Sequence, residues 1–137
     1  MDIIGKKESL SQARKRLGKD ALMKHLGIEL KEMKPGYART SMEVKPELLN
    51  GVALTHGGAI FTLADIAFAA ASNAHGPVAV ALNVNISFLK ATTAGTTLTA
   101  TAQEDNLTNK TGLYRLEVKD ESGQLVALAE GLVYRKK

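Results

Sequence analysis

Cysteine is absent from the 137 residues. Disulfides, thiolate metal sites and cysteine nucleophiles are therefore excluded. Tryptophan is absent too, and the aromatic set is three Phe and three Tyr. Nucleic-acid binding of the usual kind needs clustered Lys and Arg interleaved with aromatics. Here 18 basic and 14 acidic residues give a net charge of only +4. That mild excess suits a small anionic ligand, and plain solubility explains it equally well. No run approaches the roughly 18 uninterrupted apolar residues of a membrane span. The opening Met-Asp-Ile-Ile-Gly-Lys-Lys is too short and polar for a secretory signal. The expectation is a cytoplasmic protein that binds neither membrane nor nucleic acid, with one domain over 1–137.

What is present begins with a helical pattern over 6–26, where Leu10, Ala13, Leu17, Ala21, Leu22 and Leu26 lie near 3.6-residue spacing. Ser9 or Ser11 serves as N-cap and Gly27 closes the segment. Pro35-Gly36 separates 28–34 from 37–44 and predicts a hairpin. Residues 45–55 read as a loop, and 56–74 as a helix apolar on nearly every side, which marks it as buried. Gly76-Pro77 ends it. Alternation then predicts strands over 82–88, 96–102, 113–119 and 124–134, with Asp120-Glu121-Ser122-Gly123 as a hairpin loop. Only sheet can cover a wholly apolar helix here, so the fold class is α+β: one central helix in the curve of one antiparallel sheet.

Between Leu48 and Leu89 the single formally charged residue is Asp65. A buried carboxylate costs several kcal/mol unless it is paired or hydrogen-bonded. Two explanations stand: neighbouring backbone or Asn groups satisfy it, or it is kept for general-base or nucleophilic chemistry. Just ahead of the helix lies Thr55-His56-Gly57-Gly58. Two glycines let a ligand approach the backbone, and the unpaired first-turn amides suit an anion or a polarised carbonyl oxygen. The plainer alternative is a tight loop entry capped by Thr55. Gly57 and Asp65 are eight residues apart, or roughly 12 Å along one helix. One carbonyl cannot touch both in a single chain. Two helices packed antiparallel across a two-fold axis bring Gly57 of one chain to Asp65 of the other, so catalysis predicts at least a homodimer.

Asn50-Gly51, His56-Gly57-Gly58 and Phe61-x-Leu63-Ala64-Asp65-x-Ala67 together resemble the PaaI-like branch of the hot dog thioesterases, over roughly residues 20–135. The resemblance implies a hot dog fold with 1–26 as a helical extension. It implies hydrolysis of an acyl-CoA thioester with no metal or redox cofactor, by a homodimer or homotetramer. It assigns oxyanion donation to the Gly57 amide, activation of water or direct attack to Asp65 of the partner subunit, and orientation of substrate and water to Asn50 and His56. Gly58, Phe61 and Asn83 are the expected substrate-binding residues, and Phe68 and Phe88 could line the acyl pocket. Lys90, Lys110 and the 135–137 stretch are candidates for the phosphates of coenzyme A. Many relatives carry Ser or Thr on the strand after the helix, where this chain has Ala81, with Asn83 two residues on. Two alternatives remain at this point: a hot dog hydratase or dehydratase pairing His56 with Asp65, and a non-catalytic acyl-CoA-binding module.

Overall fold

The computed structural model describes residues 7–136. Two short helices come first, α1 (Leu10–Leu17) and α2 (Ala21–His25). A hairpin follows, β1 (Glu29–Lys34) and β2 (Tyr37–Glu43), then a 3-10 turn at Pro46–Leu48. The long helix α3 (Gly57–Asn73) leads into β3 (Val78–Phe88), β4 (Thr97–Leu107), β5 (Thr111–Lys119) and β6 (Leu125–Lys136). All strand pairs are antiparallel in one six-stranded sheet of order β1-β2-β4-β5-β6-β3.

The helix expected over 6–26 is two helices. Ser9 caps α1 through a reciprocal capping box with Gln12. Gly18 then ends α1, and the Asp20 carboxylate accepts the Met23 N–H to start α2. An Asp that caps its own new helix competes with continuing the old one. The expected apolar face is only partly the packed one: Ala13 and Met23 are buried and Leu17 and Leu26 partly so, whereas Leu10, Ala21 and Leu22 are exposed. Residue 6 lies outside the described residues. Gly27 closes α2 at φ 71°, as a left-handed glycine should. The later strands run longer than their alternation suggested, by four residues at the start of β3 and five at the end of β4.

Helix α3 lies in the curve of the sheet, as the hot dog resemblance implies, and its apolar circumference explains why. Phe68 is fully buried and meets Tyr114 edge-on at 5.6 Å. It also presses on Gly131, where an added Cβ would stand 2.6 Å from the ring. Burying such a ring is worth roughly 1.5–3 kcal/mol, and the close approach requires glycine there. Polar ties fix the helix in register: Thr40 Oγ1 donates to Leu63 C=O at 3.0 Å, and Gly36 N–H donates to Ala71 C=O. At the far end Asn73 Oδ1 accepts the Ala79 N–H at 3.0 Å and ties the helix to β3.

Strand β3 is an edge of the sheet. It carries exposed apolar residues, with Leu82 at 58% and Phe88 at 52%. Among the described residues no helix is long and apolar enough to cross a membrane.

Candidate active site

The start of α3 leaves one amide vacant. Four N–H groups at a helix N-terminus lack intrahelical partners. Here the Gly58 N–H donates to His56 Nδ1 at 2.8 Å, and those of Ala59 and Ile60 donate to the His56 carbonyl. The Gly57 N–H has no acceptor among the described residues. His56, rather than the expected Thr55, is the N-cap. Thr55 is buried, with its hydroxyl 2.7 Å from that of Thr92. The bond to Nδ1 also sets the imidazole tautomer, because a neutral ring that accepts at Nδ1 carries its proton on Nε2. His56 therefore offers a donor to whatever lies beyond it.

The vacant amide opens into a cleft of about 430 Å³ whose walls include Asn50, Leu54, Gly57, Phe88, Lys90 and Thr92. Asn50 Oδ1 accepts the N–H groups of Val52 and Leu54. That holds the loop and leaves the amide nitrogen of Asn50 unbonded among the described residues. The Phe88 ring rests on Gly57, 3.3 Å from where a Cβ would stand. It forms a wall of this cleft rather than core. The Lys90 ammonium is held by Asp120 and Gln124 at its rim.

Two helical turns on, Asp65 borders a different cavity, of about 120 Å³, with Phe68, Ala69, Ser72, Ala79 and Ala81 among its walls. Asp65 is half-buried rather than enclosed as expected, and no described residue donates a hydrogen bond to its carboxylate or pairs with it, so within one chain backbone and Asn groups do not satisfy it. Burial pushes its pKa above the usual carboxylate range, and the charge of Asp20 pushes the same way. A carboxylate that is hard to ionise and free of partners is suited to take a proton or to attack a carbonyl.

The cleft of Gly57 and the cavity of Asp65 share no residue. The single chain thus brings Asn50 and Gly57 together, places His56 at their helix cap, and holds Asp65 apart, as the spacing required. Gly58 is exposed, with its amide spent on His56. Phe61 is half-buried on α3 and Asn83 is exposed beside a bulge of β3, and neither borders these two cavities. Ala81, at the position where the resemblance implies a hydroxyl, borders the Asp65 cavity itself.

Ser72 was not anticipated. It lies seven residues after Asp65, close to two full helical turns, so helical spacing alone places it on the same face. Its hydroxyl is bonded to the Phe68 carbonyl at 2.8 Å. Arg135 departs from its expected role: it is buried, with Nη1 donating to the Thr108 carbonyl at 2.7 Å, and cannot meet a surface phosphate. Lys137 lies outside the described residues.

Residues 53–127 match the thioesterase superfamily. The acyl-coenzyme A thioesterase PaaI of Escherichia coli is 44% identical over 116 residues, 85% of this chain and 83% of that one. A protein of Archaeoglobus fulgidus, provisionally named an esterase, is 51% identical over 116 residues, 85% of this chain and 75% of its own. The solved structure of the Escherichia coli PaaI protein superposes with a TM-score of 0.88 at 42% identity, covering 92% of each chain. The vacant helix amide, the unpartnered carboxylate two turns along and these likenesses agree, and the chain belongs to the thioesterase superfamily as a PaaI-like hot dog protein.

Proposed function

We propose that the protein hydrolyses the thioester of an aryl- or fatty-acyl-CoA in the cytoplasm, at sites built from two chains. The observation that carries this reading is the division of the site. One chain presents a vacant Gly57 amide in one cleft and an unpartnered Asp65 in another cavity. Pairing across a two-fold axis joins each half to its complement and generates two identical sites. A pair of such dimers makes the tetramer that the resemblance implies.

The thioester carbonyl oxygen accepts the Gly57 N–H, where the helix dipole favours the charge that develops on attack. Asp65 of the partner subunit takes a proton from water as that water adds to the carbonyl carbon, or attacks the carbon itself and yields an anhydride that water then opens. In either route the C–S bond breaks, a C–O bond forms, and a proton passes to the departing coenzyme A thiolate. Asn50 directs its amide N–H, and His56 its Nε2–H, at the substrate. The route uses no metal or cofactor.

The hydratase alternative requires His56 as a base. Its Nδ1 is occupied by Gly58 and its Nε2 carries the proton, which disfavours that role. The binding-module alternative gives Asp65 nothing to do for the energy its burial costs. A screen of acyl-CoAs with detection of the free thiol tests the proposal. Release of thiol from at least one acyl-CoA is expected, and none from any chain length or aryl group would reject it.

A further inference from the structure

The cavity at Asp65 has a neighbour, a second cavity of about 170 Å³ that shares part of its wall. The residues common to both are Ala69 of α3 and Ala79 of β3, whose side chains are single methyl groups. The far walls belong to the N-terminal segment: Ala13 and Leu17 of α1, Asp20 at the start of α2, and Met33 of β1. The polar groups that border this space are engaged within the chain. Arg16 pairs with Glu8 at 2.9 Å and donates to Asn73. Asn73 is bonded to the backbone of Ala79, and Asp20 accepts the Met23 N–H. The remaining walls, Ala13, Leu17, Met33, Ala69, Ala70 and Ala79, are apolar.

We propose that the two cavities form one acyl slot. The far lobe, roofed by α1 and α2, receives the distal end of a linear, medium-length acyl chain, and Ala69 sets the length admitted. The inference rests on Asp65 as the hydrolytic centre, since that fixes where the chain enters. Lobes of about 120 and 170 Å³ in series, joined between two alanines, fit a narrow unbranched tail. A rigid ring is confined to the near lobe. The slot also gives the helical extension a task, because without α1 and α2 the far lobe would lie open to water.

The test compares butyryl-CoA and octanoyl-CoA in two forms: thioether analogues that cannot be hydrolysed, for binding by calorimetry, and the parent thioesters, for turnover. Ala69→Leu enlarges the side chain at the constriction, and Ala13→Leu fills the far lobe from α1, a separate element in case the first variant folds poorly. Each methylene moved from water into an apolar site is worth roughly fourfold in affinity. The octanoyl tail carries four more, so the wild type should prefer its analogue by up to about 200-fold, and either variant should shrink that ratio to about fourfold, the worth of a single methylene. The ratio is the readout, so a uniform loss of affinity does not imitate the result. A wild type without preference, or a preference that survives both substitutions, overturns the proposal. Octanoyl selectivity without turnover of either thioester keeps the tail site and overturns the hydrolytic reading instead.

Discussion

Asp65 is where stability and chemistry pull in opposite directions. A carboxyl whose folded pKa is raised by burial binds its proton more tightly folded than unfolded. Its contribution to stability is therefore lost as pH rises through that raised pKa, and the folded chain carries the penalty at neutral pH. Asp65→Asn keeps the shape and removes the penalty. The melting temperature should stay level or rise, while kcat falls by roughly 10²–10⁴-fold from loss of the base alone. Calorimetry beside steady-state hydrolysis reads both numbers on one preparation, and near-normal turnover would remove Asp65 from the chemistry. On the proposed mechanism activity needs the ionised carboxylate, so the same pKa should set the acid limb of the pH profile and place it above that of an ordinary carboxylate. Asp20 raises the Asp65 pKa through its charge but caps α2 through its oxygen. Asn caps about as well as Asp, so Asp20→Asn should shift the acid limb to lower pH and leave the melt nearly unchanged.

At the scale of elements, two glycines separate positions that serve the fold from those that serve the site. A Cβ at Gly131 would stand 2.6 Å from the Phe68 ring inside the core, and overpacking a core typically costs 1–3 kcal/mol. Gly131→Ala should therefore lower the melting temperature, with hydrolysis by the folded fraction retained. A Cβ at Gly57 meets the half-exposed Phe88 ring at 3.3 Å, at the mouth of the cleft. Gly57→Val should block approach to the vacant amide and abolish most turnover with only a small change in melting. An active Gly57→Val would assign the oxyanion to another donor. How far these elements were legible follows from what carries each signal. Helix α3 announced itself because apolar residues surround it, and Asp65 because it is the one charge in that stretch. The β1–β2 hairpin was marked by Pro35-Gly36. The break at Gly18–Asp20 was hidden because the apolar period runs through it. His56 escaped notice as the cap because the ring nitrogen, not a hydroxyl, does the capping. Ser72 was within reach of helical spacing, but the lobe beyond Ala69 was not. It depends on how α1, α3 and β3 meet, and no local pattern encodes a distance between separate elements.

For the whole molecule, the division of the site makes a prediction that no single substitution can deliver. The chain alone holds Gly57 and Asp65 in cavities with no residue in common, roughly 12 Å apart along one rigid helix. Bending the helix to join them would sacrifice the core around Phe68, so the proposed site takes its other half from a second chain. The long β3 edge, with Leu82 exposed beside its bulge, is the kind of surface that pairs with another strand. Light scattering should show a dimer or larger at working concentration, and Leu82→Asp should weaken that assembly and lower activity together. Complementation is the sharper measurement. Gly57→Val and Asp65→Asn chains should each be inactive as homodimers. In a mixed dimer one site carries both lesions and the other carries neither. Random reassortment of equal amounts makes half the dimers mixed, each with one intact site, so activity should return to roughly a quarter of wild type. If both residues served the same chain's site, every site in every mixture would carry a lesion, and no activity would return. Recovery on mixing therefore measures the sharing of the site directly, independently of which acyl group the enzyme prefers.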